Sequence, residues 1–261
     1  MQPKVEVLER GPWMAVGPIR RAEWVRVTLP LAHGPVEPIR LLHLSDLHIR
    51  RVGHPVLETV IARLAEDPVD AVLVTGDFVD DKFDSRPALP VVRSLVARLT
   101  SRWGTFGILG NHDGDLVRAW LRPMGVQLIE GALVRAGEGE RRVDLVGLPG
   151  AVREASSSYF DRDRDPAVPT IALSHYPDAI ERLDRLRPDL VLAGHTHGGQ
   201  ICLPGRVPLI THDSLPRRMC AGVHVTGQGC LIVSRGIGHT DLPIRLFSPP
   251  QVIEVVISRS G

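Results

Sequence analysis

The sequence predicts an α/β fold, and three observations point to it. Six short apolar runs, IRLLHL, DAVLVT, GTFGIL, RVDLVG, VPTIAL and DLVLAG, have the length and β-branched content of buried strands. Helical patterns separate several of them, the order expected of a largely parallel sheet flanked by helices. Five of the runs are followed at once by Asp, Asn or His: SDLH after the first, then GD, GNHD, SH and finally HTH.

The elements follow in chain order. Residues 1–38 carry VEVLE and WVRVTL, broken by Gly and Pro, and read as a strand-rich lead-in packed on a domain spanning residues 39–261. PVLETVIARLAED (55–67) has Pro55 at a permissible helix start and Val56, Val60, Ile61 and Leu64 at spacings of three and four. RPALPVVRSLVARL places Leu89, Val92, Leu95, Val96 and Leu99 on one stripe. A third short helix is predicted between Pro177 and Leu186, ahead of Pro188. The tail after Gly199, rich in Gly and Pro, reads as a meander of strands added to the domain.

Composition narrows the function. A chain of 261 residues, 43% of them hydrophobic, can bury a substantial core. The formal net charge is +1 with no block of like charge, so an acidic partner must be met locally and nucleic acid is disfavoured as a partner. Cys202, Cys220 and Cys230 are odd in number and form no CxxC pair, which favours a reducing, cytoplasmic setting over a disulfide framework. No apolar stretch reaches the ~18 residues of a membrane span, and no signal-peptide core stands at the N-terminus; peripheral membrane contact stays open.

The residues after the strands carry the chemistry. In open α/β sheets the carboxyl ends of strands form the edge where ligands sit, so the five clusters converge there. Together they offer Asp46, His48, Asp77, Asn111, His112, His175, His195 and His197, an oxygen and imidazole set without sulfur. Such donors suit Mn, Fe or Zn. They are too many for one ion, and two divalent ions ~3.5 to 4 Å apart, bridged by a carboxylate, are a recurrent device for hydrolysing phosphate esters. Asp77 is the natural bridge. Asn111 is the chain's only Asn, and as a ligand it supplies a neutral amide oxygen. Gly76, Gly110 and Gly194 precede ligands at strand-to-loop turns, where the absence of Cβ permits close backbone approach.

The ordered set DLH, GD, GNHD, a lone His and GHTH, each after a strand, resembles the calcineurin-like metallophosphoesterase superfamily. SDLH, SHYPD, GHTHGGQ and the tail SRGIG then PIRLFSPP are similar to its bacterial phosphodiesterase branch, typified by the YkuE and YaeI proteins. The resemblance covers nearly everything from Ile39 to Ile257. It implies a four-layer αββα sandwich with one metal held by Asp46, His48, Asp77 and His197. The second would be held by Asp77, Asn111, His175 and His195, with Mn favoured for the pair. The catalytic histidine of the family falls on His112, supported by Asp113. The implied activity is hydrolysis of a small phosphate ester, a diester being favoured, by hydroxide drawn from a water shared between the metals.

Residues around this set receive weaker roles. Thr196 should point away from the metals, and Gly198, Gly199 and Gln200 should begin the next strand. Asp80 and Asp81 either hold a ligating imidazole or face water. Arg245 and His239 are candidates for substrate contact, weighed against an ordinary solvated role. His33, His43, His54, His212 and His224 are assigned no role, and the DRDRD run (161–165) reads as a solvated loop with a smaller claim to be a lid. Alternatives with the same site are a phosphomonoesterase or a nuclease; the latter fits poorly with 4% aromatic content. A non-catalytic scaffold on this fold would have no reason to keep both the ligand set and His112.

Overall fold

A computed structural model describes residues 2–149, 165–183, 185–211 and 213–260. His212 and all of the DRDRD run except Asp165 lie outside these residues. Two sheets face each other. The first is seven-stranded and runs Lys4–Glu9, Glu23–Leu31, Gln251–Arg259, Ile39–Leu44, Ala71–Thr75, Thr105–Ile108, Val126–Leu128. The second is six-stranded and runs Gly222–Thr226, Gly229–Val233, Leu190–Ala193, Thr170–Leu173, Arg141–Gly147, Leu133–Glu138. The strands that precede the Asp, Asn and His clusters pair in parallel within each sheet, so their carboxyl ends share one edge of it.

Strand periodicity builds the layers. In Ala71–Thr75 every residue is buried, and alternate side chains enter different cores. Ala71 and Leu73 meet Ile171, Leu173, Leu190 and Leu192 of the facing sheet. Val72 and Val74 point the other way, toward helices α1 (Pro55–Glu66) and α2 (Leu89–Val96). Helix α1 starts as its pattern predicts, with Pro55 in the first turn and the Nδ1 of His54 accepting from the Leu57 N–H at 3.3 Å. Val56, Leu57, Val60, Ile61 and Leu64 form its buried face. On the outer side of the second sheet, Ala172, Val191 and Val233 are covered by Ala179, Ile180 and Leu183. The four layers are therefore helices, sheet, sheet and a helical cover.

Three elements differ from the sequence-based expectation. The segment after Pro177 is a 3-10 turn, Pro177–Arg182, rather than the start of an α-helix among the described residues; Pro188 follows too soon for a longer helix to be worthwhile. A helix not expected from the sequence, α3 (Asp115–Leu121), buries Val117 and Leu121 and ends where Arg122–Met124 tightens around Pro123. The tail is not a meander on one side. Gly222–Thr226 and Gly229–Val233 join the second sheet, while Gln251–Arg259 enters the first, parallel to Glu23–Leu31 and antiparallel to Ile39–Leu44. Its side chains Ile253, Val255 and Ile257 are buried in the core between the sheets, and Val252 in the core on the helix side.

Leu73 is fully buried between the sheets. Leu73→Ala should lower unfolding free energy by about 2–5 kcal/mol, read as a shift in the denaturant midpoint at unchanged slope.

Candidate metal centre

The site stands where the carboxyl ends of five strands meet. Asp46 and His48 follow Ile39–Leu44, Asp77 follows Ala71–Thr75, and Asn111 and His112 follow Thr105–Ile108. From the second sheet, His175 follows Thr170–Leu173 and His195 and His197 follow Leu190–Ala193. The chain turns sharply at each. Asp46, His48, Asp77, His195 and His197 all have φ between 44° and 68°, a left-handed conformation that costs a non-glycine residue about 1–2 kcal/mol. Five such residues in one cluster mark a site where neighbouring structure over-determines the backbone.

Backbone bonds lock these turns to one another. The N–H of Asp46 donates to Gly76 O and that of His48 to Asp77 O, both at 3.0 Å. The His112 N–H donates to Asp77 Oδ1 at 2.8 Å, and the His195 N–H to Asp46 Oδ1 at 3.0 Å. Two glycines are required by space. A Cβ on Gly110 would lie 2.6 Å from the Asp77 nitrogen, and one on Gly194 would collide with Ser45 and Asp46.

The side chains then converge on Asp77. Its Oδ2 lies 3.6 Å from His48 Nε2 and 3.4 Å from His175 Nε2. On one side, the Nε2 atoms of His48 and His197 face each other at 3.1 Å, with Asp46 Oδ1 3.6 Å from His197 Nε2. On the other, His175 Nε2 lies 2.9 Å from Asn111 Oδ1 and 3.2 Å from His195 Nδ1. Asp46, His48 and His197 can hold a metal ion together, as can Asp46, Asp77 and His175; His48, Asp77 and His112 form a third such group.

The donor set fits divalent cations. Imidazole nitrogens at 3.1 and 3.2 Å from each other cannot both be lone pairs, nor both carry protons. Without a cation the cluster must hold protons in its place. Burial pushes His175 down, but Asp77 and Asp46 outweigh it and hold the imidazole up at about 9. His197 goes the other way, driven well below its usual value by burial, His48 and Arg245. Burial likewise pushes the Asp77 carboxyl up, yet His175, His48 and His112 together hold it far below the ordinary range. His175 Nδ1 donates to Thr75 O at 2.8 Å, so its Nε2 is the atom aimed inward.

The supporting residues resolve several expectations. Asp80 reaches the site: its Oδ1 lies 3.3 Å from His48 Nδ1, its Oδ2 2.9 Å from Arg50 Nε, and its carbonyl accepts from His112 Nδ1 at 2.5 Å. Asp81 turns away and accepts from the Phe83 and Asp84 N–H groups. Asp113 does not bond the His112 ring. Its carboxylate accepts from the N–H groups of Phe78, Val79 and Gly110, fixing the turns that carry Asp77 and Asn111; burial, with Asp77 beside it, raises it to about 7. Thr196 donates to Cys220 O, but Gly198–Gln200 do not begin a strand: His197–Gly199 is a 3-10 turn, and pairing starts with the bridge of Ile201 to Leu246, ahead of the strand Cys202–Leu203.

Arg245 and His239 do not line the cavity that holds Asp77, Asn111 and His112. Arg245 is 1% exposed, and its guanidinium donates to His197 Nδ1 at 3.0 Å and to the carbonyls of Arg235, Gly238 and Ser248. It holds the ligand-bearing loop from behind. Gly238 packs on the backbone of Leu47 and His48, which sends His239 to the outer side of His48, beside Arg50 in a separate cavity of about 150 Å³. The unassigned histidines have structural partners: His33 with Asp189, His224 with Ala221 O, and His43 with Thr75. Sequence reasoning passed over Tyr176, whose ring lies 4.5 Å from that of His195, and Ser248, which donates to His197 O at 2.8 Å. Tyr176 directly follows a ligand candidate, so its position was readable; Ser248, distant in sequence, was not.

Comparison with known proteins agrees with this geometry. Residues 39–199 match the calcineurin-like phosphoesterase family, and the chain belongs to that family. It is a metal-dependent phosphoesterase, an enzyme that hydrolyses phosphoric esters. It is similar to the metallophosphoesterase YkoQ of Bacillus subtilis, 29% identical over 82% of each chain. It is also similar to the phosphodiesterase YaeI of Escherichia coli, 28% identical over 88% of this chain and 86% of that one. The metallophosphoesterase YkuE of Bacillus subtilis is 29% identical over 85% of this chain and 79% of that one. Among the described residues no helix is long and apolar enough to cross a membrane.

Two outcomes test this arrangement. Gly110→Ala should weaken Mn²⁺ binding by about 10–100-fold in calorimetry, through displacement of Asp77, with the fold retained by circular dichroism; unchanged affinity would refute the steric argument. Burial lowers His43 to about 3, below its ordinary 6.5, so the unfolded chain takes up a proton that the folded one refuses. Stability should therefore fall as pH drops through and below 6.5, and His43→Asn should lose less between pH 7 and pH 5 than the parent does.

Proposed function

We propose that the protein is a phosphodiesterase working with two divalent cations, Mn²⁺ favoured, in a cytoplasmic setting. Asp46, His48, Asp77 and His197 hold one cation; Asp77, Asn111, His175 and His195 hold the other. The observation that carries this reading is the symmetry about Asp77: a facing imidazole pair on each side, at 3.1 and 3.2 Å, with one carboxylate between them. The phosphodiesterase name of YaeI supports the diester preference, and three free, buried cysteines suit a reducing compartment.

When bound, the cations supply Lewis acidity and a water acidic enough to ionise near neutral pH. The chain supplies the rest. Asp77 anchors both halves while accepting from the His112 N–H, so the catalytic imidazole is tied to the carboxylate at the centre. His112 Nδ1 donates to Asp80 O, which leaves Nε2 as the nitrogen that gives a proton to the leaving-group oxygen. His112 lines the same cavity as Asp77, Asn111 and His195, the position such a donor needs. Asp113 acts as a positioning residue through the Phe78 and Gly110 N–H groups.

The test is hydrolysis of bis(p-nitrophenyl) phosphate and of p-nitrophenyl phosphate by protein stripped of metal and refilled with Mn²⁺. Diester cleavage should require Mn²⁺, and His112→Ala should lower kcat by about 10²–10⁴ with the metal content retained. Faster cleavage of the monoester, or turnover indifferent to chelation, would defeat the proposal.

A further inference from the structure

Beside the metal cluster lies a cavity of about 650 Å³. Its lining joins Asp77, Asn111, His112 and His195 of the cluster to a second wall, an apolar set of Ile201, Leu209, Ile210 and Leu242 set among Gln200, Thr240 and Asp241. The apolar residues of this wall are open. Leu209 is 46% exposed, Ile210 62% and Leu242 57%, although each could have been polar without loss to the core. Single exposed apolar residues are ordinary, but several gathered in one cavity that ends on a reactive centre mark a binding surface.

The wall is built rather than accidental. Gln200, the last residue of GHTHGGQ, donates from Nε2 to the carbonyls of Thr240 and Leu242 at 3.0 and 3.1 Å, and its Oε1 accepts the Thr240 N–H at 3.0 Å. One amide thus clamps the 240–242 loop beside the second ligand histidine. The N–H of Leu209 donates to Ile201 O at 3.3 Å, and that of Leu246 to Gln200 O at 3.0 Å, so the strand-like segments carrying the other apolar residues hang from the same point. The glycines before Gln200 make this possible: Gly199, at φ 82°, packs against Pro208, where a side chain would clash. Ligand loop and apolar wall are therefore one unit.

Charge argues in the same direction. Among the described lining residues, the charged side chain beyond the metal-side cluster is Asp241, whose carboxylate opposes a second phosphate on that side. A nucleoside diphosphate or a polyphosphate would bring its extra anion against it. Alkyl carbon, by contrast, gains about fourfold in affinity for each CH₂ removed from water.

Resting on the phosphodiesterase reading above, we propose that the substrate is an amphipathic phosphodiester, with one phosphate on the metal centre and an alkyl substituent lying against Ile201, Leu209, Ile210 and Leu242. The wall sets specificity; the metals and His112 carry the reaction.

The experiment is a series of alkyl p-nitrophenyl phosphodiesters, methyl, butyl and hexyl, sharing one leaving group and assayed with Mn²⁺ below their micellar concentrations. The hexyl to methyl ratio of kcat/KM should be at least about tenfold, the retained chain being partly buried. In Ile210→Ser combined with Leu242→Ser that ratio should fall toward one. A ratio near one in the parent, or a ratio unmoved in the variant, overturns the proposal, as does a p-nitrophenyl thymidine 5′-phosphate cleaved faster than the hexyl ester. Binding of hexylphosphonate and methylphosphonate to the Mn²⁺-loaded protein, by calorimetry, separates the two readings. Tighter hexyl binding without turnover upholds the wall and removes the phosphodiesterase reading; equal binding removes the wall, whatever the turnover.

Discussion

Burying two carboxylates beside each other is the constraint around which the molecule is arranged. Asp46 and Asp77 are 0% and 2% exposed, and taking an ion out of water costs roughly several kcal/mol even after relaxation. Burial, with repulsion from Asp77, holds the Asp46 carboxyl above its usual value against the opposing pull of the His175 and His48 imidazoles. The balance requires imidazoles at short range from two sheets at once. Parallel strands ending at one edge provide them, since they bring segments more than a hundred residues apart to a common line. The left-handed turns follow from the same demand, because a side chain can be redirected inward only by bending the chain abruptly after the strand.

The residues outside this centre serve mainly to keep it from relaxing. Arg245 is the clearest case. A fully buried guanidinium is expensive, and burial lowers it to about 9, yet its donors find the carbonyls of Arg235, Gly238 and Ser248 together with His197 Nδ1. It gathers the SRGIG turn, the second ligand histidine and the tail before Gln251 into one body. Arg235 in turn bonds Glu23 and the carbonyl of Pro249, linking the first long strand to the same turn. Asp113 does the equivalent on the opposite side by receiving backbone N–H groups from both Phe78 and Gly110. Strain at the ligand turns is thereby met by hydrogen bonds that a looser loop would lack.

Such rigidity on the metal side contrasts with the open apolar wall. GHTHGGQ supplies both: its two histidines turn inward, its glycines allow the tight turn, and its glutamine clamps the 240–242 loop. A change of the loop's apolar residues could alter which ester is accepted without disturbing the ligands, since Gln200 holds the loop by its backbone carbonyls and N–H.

Much of this was legible from local chemistry. The runs before Asp46, Asp77, Asn111, His175 and His195 announce themselves because a parallel strand buried on both faces needs unbroken apolar residues, and the polar residue placed directly after each has no structural excuse. The stripe of Val56, Val60, Ile61 and Leu64 likewise needs no partner to be recognised. Local pattern could not reveal that Gln251–Arg259 inserts between Glu23–Leu31 and Ile39–Leu44, because strand pairing is chosen by non-local burial. Nor could it show that Arg245 faces inward: an isolated Arg has the same appearance whether solvated or buried, and its place follows from carbonyls of the turns at Arg235–Gly238 and Ser248 together with the ring of His197, which is 48 residues away. Residue type and order were enough to single out the Asp, Asn and His residues that the strand ends bring together, since coordination chemistry limits which side chains can serve at a metal. Distances, protonation and the wall beside the centre came from long-range packing, which depends on the whole chain at once.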